Sequence, residues 1–373
     1  MRAGAFHLTY CSNIHAGETW PEVERALADV LPRVRAELAE FGPFGIGLRL
    51  SGAAAAVLVT PDALAAFQRF LADGNYYVFT INGFPYGAFH GQRVKEQVYL
   101  PDWRDPRRLE YSNQLATILA ALLPADMASG SVSTVPGGFK AHIQTTADVE
   151  AVAEGMRAHA RFLAELELTT GRTIRLALEP EPACLLETIA DTCAFFDRHL
   201  ADDDVRRFVG VCVDTCHMAV EFEDPHRVLT TLTDAGIAIV KVQVSSALDV
   251  VAGGIEALAH FAEDTYLHQV VTRGPHGLTR FTDLPDAFGG TDRHDRDEWR
   301  VHFHVPLFLE HLGALRTTQP FVSAFLSSLR ANPVCNHLEV ETYTWDVLPE
   351  EFRRSDVATA IARELAWTRD QLT

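Results

Sequence analysis

The chain has 373 residues, of which 47% are hydrophobic and 22% are charged, and its formal net charge is −18. This composition is typical of a packed globular protein and excludes a disordered chain. The acidic balance is unsuited to binding the phosphates of nucleic acid, so we expect no nucleic-acid partner.

The opening residues lack the apolar core of a signal peptide, and no apolar run reaches the ~18–20 residues of a membrane helix. The six cysteines contain no CxxC pair, which favours free thiols over a zinc knuckle or a redox motif. We therefore expect a cytoplasmic protein that is not embedded in a membrane.

Short apolar strands alternate with helical segments along most of the chain. Eight strands are predicted, at 6–11, 44–51, 76–84, 129–135, 174–179, 209–214, 239–244 and 336–342. Helices are predicted at 21–41, 61–73, 107–123, 147–168, 185–200, 225–235 and 356–370. This alternation is typical of parallel strands with right-handed crossovers, and eight such strands close a (β/α)8 TIM barrel.

One segment interrupts the alternation. Residues 247–300 begin with a helical stretch and continue with turn-forming and charged residues. We expect an insertion after the seventh strand, with a small hairpin, at the C-terminal face of the barrel. Inserted loops on that face usually shape access to an active site. The whole chain, 1–373, would then be a single barrel domain.

Several predicted strands end in a carboxylate. Glu179 closes the run IRLALE, Asp214 closes VGVCVD, and Glu341 lies near the end of the eighth strand. Because the C-terminal ends of the strands share one face of a parallel barrel, these side chains are expected to converge. Carboxylates gathered there are suited to binding a divalent metal ion. A solvated loop glutamate and a helix-capping aspartate are the structural alternatives.

Histidines accompany these carboxylates. His217 follows Asp214 by one turn, and His302 and His304 alternate in VHFHVP, which we interpret as a strand. Imidazoles with H-x-H spacing on a strand share a face and suit metal binding. Histidines packed in the core are the alternative.

Further polar residues fall on the same predicted strands. Lys241 and Gln243 alternate on IVKVQV, and a buried lysine is costly unless it is paired, for which Glu339 is a candidate. We expect Lys241 to assist catalysis electrostatically. The residues predicted to shape the substrate site are His15, Glu18, Asn82 and Glu339.

The series of strand-end residues resembles the xylose-isomerase-like barrel superfamily, which contains sugar isomerases, epimerases and endonuclease IV. The resemblance implies a divalent metal ion (Mn, Mg, Co or Zn) bound by Glu179, Asp214, Gln243 and Glu341. The isomerases carry a histidine where this chain has Gln243. The D-x-x-H and H-x-H motifs are more similar to the multi-metal endonuclease IV pattern, which adds the ligands His217, His302 and His304.

Longer segments, at 8–20, 214–223, 241–248 and 337–349, resemble the EboE family. Its members are described as metabolite traffic proteins that are encoded with a prenyltransferase-like partner. They are implicated in moving small-molecule precursors out of the cytosol. The resemblance implies a small polar metabolite as ligand and a membrane protein as a pathway partner.

Three functions follow from these patterns. The first is a metal-dependent isomerase or epimerase acting on a sugar, sugar phosphate or cyclitol-like compound, in which Glu179 and Glu341 transfer the proton. The second is a non-catalytic barrel that binds a metabolite and passes it to a membrane partner. The third is a metal-dependent phosphoesterase that resembles endonuclease IV.

Overall fold

The computed structural model describes residues 1–40, 42–251, 254–290, 297–350, 353 and 355–373, and eight parallel strands within these residues form a barrel. The strands are β1 (Arg2–Ala3), β2 (Phe6–Tyr10), β3 (Phe44–Arg49), β4 (Tyr76–Asn82), β5 (Ser129–Thr134), β6 (Thr173–Leu178), β7 (Val209–Asp214), β8 (Ile239–Val244), β9 (Leu248–Val250), β10 (Val270–Gly274), β11 (Gly277–Phe281), β12 (Glu298–Val301), β13 (His311–Leu312), β14 (Leu315–Thr317) and β15 (His337–Val340). The barrel sheet has the order β1-β2-β15-β8-β7-β6-β5-β4-β3, in which the short β1 is antiparallel to β2.

Helices surround this sheet. They are α1 (Trp20–Leu38), α2 (Gly52–Leu58), α3 (Pro61–Gly74), α4 (Pro106–Leu122), α5 (Thr146–Thr170), α6 (Ile189–His199), α7 (Asp203–Arg206), α8 (Thr215–Val220), α9 (Val228–Asp234), α10 (Leu284–Gly289), α11 (Gln319–Ala331) and α12 (Val357–Leu372). The predicted (β/α)8 barrel is confirmed, because eight parallel strands alternate with helices along the chain and form one sheet. The strands are apolar because helices cover the outer face of that sheet. No single helix in the described part of the chain is long and apolar enough to cross a membrane, although α2 and α3 pass that test as a pair that is bent by 90°.

Glycine allows the barrel to close between β2 and β3. The hydroxyl of Thr9 donates to the carbonyl oxygen of Gly45 at 2.8 Å, and Cys11 forms a parallel bridge with Gly47. A Cβ atom on Gly47 would lie 2.4 Å from the carbonyl oxygen of Tyr10 and 1.9 Å from Oε1 of Glu339. A side chain at this position would therefore separate the two strands or displace a buried carboxylate.

The insertion is larger than the sequence predicts. Among the described residues, six antiparallel strands from Leu248 to Thr317 form a second sheet in the order β11-β10-β12-β9-β14-β13. The sheet extends beyond residue 300 because β14 pairs with β9, and Arg316 forms an ion pair with Asp249 at 2.9 Å. This contact joins residues 67 positions apart, so no local pattern indicates it.

The interpretation of 301–306 as a strand is wrong beyond its first residue. Strand β12 ends at Val301, and the following residues leave the sheet at the C-terminal face of the barrel. His302 and His304 are therefore brought together by an irregular segment and not by the alternation of a strand.

A buried glutamate, Glu364, connects α12 to the loops at that face. It accepts hydrogen bonds from the amide of Leu307 at 3.1 Å and from the hydroxyl of Thr342 at 2.7 Å. Burial raises the pKa of Glu364 from 4.5 to about 7, although these two hydrogen bonds oppose the shift. The folded state therefore favours the protonated acid more than the unfolded state does.

We expect Glu364→Gln to flatten the pH dependence of stability. An acid with a raised pKa stabilises the fold below about pH 4.5, and this contribution is lost as the pH rises through about 7. The loss amounts to about 3 kcal/mol in the wild-type protein, and the neutral amide avoids it. Urea unfolding at pH 5 and pH 8 measures both proteins, with the exposed Glu110→Gln as control. Parallel pH profiles for wild type and Glu364→Gln would contradict the expectation.

Candidate functional site

Three buried carboxylates meet at the C-terminal face of the barrel. Glu179 directly follows β6, Asp214 ends β7, and Glu341 directly follows β15. One carboxylate oxygen from each lies within 4.8 Å of the others. Oε2 of Glu179 and Oδ2 of Asp214 have no hydrogen-bond partner among the described residues. Buried carboxylate oxygens without partners are costly, and a bound cation would satisfy them.

Hydrogen bonds hold two of these three carboxylates, Glu341 and Asp214, in place. Oε1 of Glu341 accepts hydrogen bonds from the side-chain amides of Asn13 at 2.7 Å and Asn82 at 2.8 Å. Oδ1 of Asp214 accepts from the hydroxyl of Ser245 at 2.6 Å and from the backbone amide of His217 at 3.0 Å. The contacts orient both carboxylates before any ligand binds.

Three imidazoles converge beside the carboxylates. The distance from Nε2 of His302 to Nε2 of His217 is 3.2 Å, and its distance to Nε2 of His304 is also 3.2 Å. One oxygen of Asp214 lies within 4.8 Å of ring nitrogens of His217 and His304. Asp214 therefore belongs to the carboxylate group and to the imidazole group at once.

The partners of the other ring nitrogens determine which atom carries the proton. Nδ1 of His217 lies 3.0 Å from the carbonyl oxygen of Pro180, and Nδ1 of His304 lies 2.8 Å from that of Glu341. Because a carbonyl oxygen can only accept, each Nδ1 must donate, and each Nε2 is left with a lone pair. Lone pairs this close repel one another, and a cation between them would remove the repulsion.

Gln269 holds the third imidazole in the same way. Its Nε2 donates to the carbonyl oxygen of Pro182 at 3.1 Å and to the hydroxyl of Tyr99 at 2.7 Å. This orientation leaves Oε1 of Gln269 to accept from Nδ1 of His302 at 2.7 Å. The hydroxyl of Tyr99 in turn donates to Oε1 of Glu181 at 2.7 Å. Such outer contacts set the tautomer and direction of a metal-binding histidine.

We expect Gln269→Leu to weaken divalent-metal binding by about 10- to 100-fold, because the tautomer and direction of His302 are no longer set. The measurement is a competition titration of Zn²⁺ or Mn²⁺ against a chelating dye. Gln319→Leu is the matched control, since Gln319 is also buried and donates to a backbone carbonyl oxygen at 2.9 Å, away from this site. Equal affinities in the two variants would show that Gln269 has no such role.

The electrostatics of the cluster suit a cation. Burial raises the pKa of Glu179, and the charge of Asp214 raises it further; burial and the charge of Glu179 do the same for Glu341. Burial also lowers the pKa of His217 and His302, which keeps both imidazoles neutral and able to bind metal. The donor set present thus fits a divalent ion, with oxygen ligands on one side and imidazoles on the other.

A buried ion pair lies beneath this cluster. Nζ of Lys241 is 2.6 Å from Oε2 of Glu339, and both side chains are fully buried. Burial is the largest single influence and lowers the pKa of Lys241, but the surrounding groups, Glu339 foremost, together outweigh it and raise that pKa, so Lys241 remains a cation. Gln243 lies between Asp214 and Glu339 in the strand register, and its side-chain oxygen and nitrogen lack partners among the described residues. A free carboxamide oxygen at this position is suited to being a further metal ligand.

A cavity of about 50 Å³ opens above the carboxylates and is covered by side chains from two segments, 84–99 and 266–267. The floor contains Asn13, Asn82, Glu179, Glu181, His217, His302 and Glu341. We call the cover the roof, which consists of Phe84, Phe89, Val94, Val98, Tyr266 and Leu267. Lys95 joins the first of these segments to the insertion, because its Nζ lies 2.7 Å from Oδ2 of Asp283 and 3.0 Å from the carbonyl oxygen of Glu263. The roof separates the floor from bulk water.

The structure does not bring every predicted residue to this cavity. His15 does not line the cavity, and its Nε2 is 3.0 Å from the hydroxyl of Tyr10 at the end of β2. Glu18 supports the roof from outside: it forms an ion pair with Arg49 at 3.0 Å and accepts from the amide of Phe89 at 2.6 Å. The sequence does not indicate these positions, because the partners of both side chains come near them only in the folded chain.

Sequence reasoning missed several residues of the site. Glu181 carried a signal, because Glu-Pro-Glu-Pro forces extended backbone and two carboxylates two positions apart then share a side. Asn13 lies a few residues after β2, a position comparable to that of Asn82 at the end of β4. Tyr99 and Gln269 had no local signal, since they reach the site from a long loop and from the insertion.

No protein-family model and no curated protein matches this chain. Solved structures do match over nearly its full length. A xylose isomerase-like TIM barrel protein from Mycobacterium smegmatis in complex with magnesium is 13% identical, with a TM-score of 0.56 and coverage of 100% of this chain and 98% of that chain. The chain has the xylose-isomerase-like barrel fold.

Two further solved structures similar to this chain are of proteins named for an activity. An L-ribulose 3-epimerase is 16% identical, with a TM-score of 0.51 and coverage of 98% and 94% of the two chains. The probable 3-DHS dehydratase AsbF from Bacillus anthracis is 14% identical, with a TM-score of 0.51 and coverage of 96% and 97%. Identities this low establish the fold alone. The narrower resemblance to the EboE family stays a prediction.

Proposed function

We propose that this protein is a metal-dependent enzyme that transfers a proton beside a carbonyl group of a small hydroxylated substrate, as an isomerase or epimerase does. The observation that carries the proposal is the pair of buried glutamates, Glu179 and Glu341, whose oxygens lie within 4.8 Å of each other and of Asp214 at the floor of the cavity. Two carboxylates on either side of one carbon could remove and return a proton.

Residues of the site would both bind the cation and transfer the proton. Glu179, Asp214 and Glu341, with Gln243, would hold the cation, which when bound would polarise the substrate carbonyl and acidify the adjacent C–H bond. Glu179 would bind the cation through one carboxylate oxygen and could accept the proton with the other.

The remaining groups keep the second carboxylate in position and the site dry. Asn13 and Asn82 orient Glu341 through one oxygen and leave the other available. The apolar roof excludes water, which strengthens each electrostatic interaction on the floor. Lys241 lies below the site and would act through its charge, since Glu339 holds its ammonium group.

The three imidazoles favour a second candidate. Their converging Nε2 atoms, with Asp214 shared between the two groups, would suit two or more zinc ions and the metal-assisted hydrolysis of a phosphate ester. The EboE resemblance supports a third candidate, in which the barrel binds a small polar metabolite and passes it to a membrane protein without chemical change.

Metal analysis of protein purified without chelators tests these alternatives. One Mn, Mg or Co ion per chain, together with deuterium uptake beside the carbonyl of a bound hydroxyketone in D₂O, would support proton transfer. Two or three zinc ions would favour phosphate-ester hydrolysis. No metal after supplementation would overturn the proposal and favour the metabolite-binding protein.

A further inference from the structure

The cavity has two chemically different sides. The floor carries the carboxylates and imidazoles, whereas the roof presents the side chains of Phe84, Phe89, Val94, Val98, Tyr266 and Leu267. The roof residues come from two segments, 84–99 and 266–267, that lie far apart in the chain. A substrate bound to the floor by its polar end would therefore place the rest of its structure against the side chains of the roof.

The charged group nearest the roof is already engaged, and the hydroxyl of Tyr343, which also lines the cavity, lies 3.4 Å from Nε2 of His302 on the floor. Among the described residues that line the cavity, Lys95 is the one lysine or arginine, and its Nζ contacts Asp283 and the carbonyl oxygen of Glu263. The hydroxyl of Tyr99 donates to Glu181. A distal phosphate would therefore have no free lysine or arginine to meet among the described residues that line the cavity.

We infer that the substrate has a metal-chelating hydroxy-carbonyl head and an uncharged apolar arm, and that it carries no distal phosphate. This inference rests on the proposed function, since the head needs the metal site of the floor. It narrows the range of sugars, sugar phosphates and cyclitols that the barrel fold alone would allow.

The size of the cavity determines how such an arm would enter. The cavity volume is small, about 50 Å³, so we expect the head to fill most of it. The arm would then contact the two roof segments near the hydrogen bond from the Val94 amide to the Thr265 carbonyl oxygen at 2.8 Å, beside the ion pair of Lys95 with Asp283. Apolar atoms placed there would replace contacts that the roof makes with itself.

Hydroxamates test the inference because they chelate divalent metal ions in the manner of an enediolate. Calorimetry with the Mn²⁺-loaded protein compares acetohydroxamate, 3-phenylpropionohydroxamate, erythronohydroxamate and 4-phosphoerythronohydroxamate. We expect the phenyl compound to bind about 10- to 100-fold more tightly than acetohydroxamate, because the ring becomes buried. The hydroxylated and phosphorylated compounds should show no such gain.

A tighter complex with either of those two compounds than with the phenyl compound would overturn the inference and leave the metal-dependent function standing. Absence of binding by all four to protein that holds its metal would overturn the proposed function as well.

A pair of neighbouring variants locates the arm. Val98 faces the cavity, whereas the adjacent Gln97 is exposed. We expect Val98→Asp to remove most of the phenyl compound's advantage over acetohydroxamate, whereas Gln97→Asp should preserve it. Equal advantages in the two variants would show that the arm does not contact the roof at this position.

Discussion

The double variant Glu179→Gln/Asp214→Asn is expected to lose at least 10³-fold in affinity for divalent metal while it remains folded. The two substitutions remove two of the three negative charges that converge at the floor and preserve the shape of each side chain. Amides are much weaker ligands for hard divalent ions than carboxylates are. Equilibrium dialysis with metal analysis measures the affinity, and circular dichroism reports the fold.

The fold should survive because these carboxylates are unfavourable neighbours without a cation. Burial and the charge of Asp214 raise the pKa of Glu179, so neutral amides remove repulsion from the metal-free protein. Glu110→Gln/Asp62→Asn makes the same change of charge at exposed positions and should retain metal binding. Unchanged metal content in the first variant would refute the assignment of these two ligands.

Lys241→Met is expected to destabilise the protein by about 3–5 kcal/mol, the largest effect on folding that we predict. Lys241 and Glu339 are both fully buried and lie 2.6 Å apart. Removing the ammonium group leaves a charged carboxylate inside the barrel without its counter-ion, and Gly47 and Tyr10 leave Glu339 little space to move. Urea-induced unfolding at pH 7.5 measures the change.

Replacing both partners distinguishes the electrostatic contribution of the ion pair from the packing of the two side chains. In Lys241→Met/Glu339→Leu neither member of the pair carries a charge, and we expect most of the lost stability to return, because an apolar pair of similar volume avoids the desolvation of both ions. If the double variant is as unstable as Lys241→Met alone, the loss comes from packing at position 241 and the electrostatic explanation is wrong.

The carboxylate half of the candidate site could be predicted from the sequence because it depends on local pattern. Glu179, Asp214 and Glu341 each end a short apolar run, and parallel barrel strands end at one face. The pairing of Lys241 with Glu339 was suggested by the cost of burying a lysine. These arguments require only that a strand be recognised and its last residue identified.

The histidines of the candidate site could be predicted from the sequence, but the way in which the fold brings them together could not. His217 and His302 are separated by 85 residues, and the path of an irregular segment after β12 brings their Nε2 atoms to 3.2 Å. The contact of Gln269 with His302 likewise arises inside the insertion, where β10 and β12 pair. The loop residues His15 and Glu18 were predicted at the same face, yet their partners turn them away from the cavity.

The sequence by itself determined the eight-stranded barrel and the face at which its acidic residues gather, because strand periodicity and the direction of parallel strands are properties of short segments. Tertiary structure alone decided the tautomers of the three imidazoles, the extent of the inserted sheet and the apolar roof over the floor. Those features depend on contacts between residues far apart in the chain, and such contacts form only when the loops adopt particular paths across the barrel mouth.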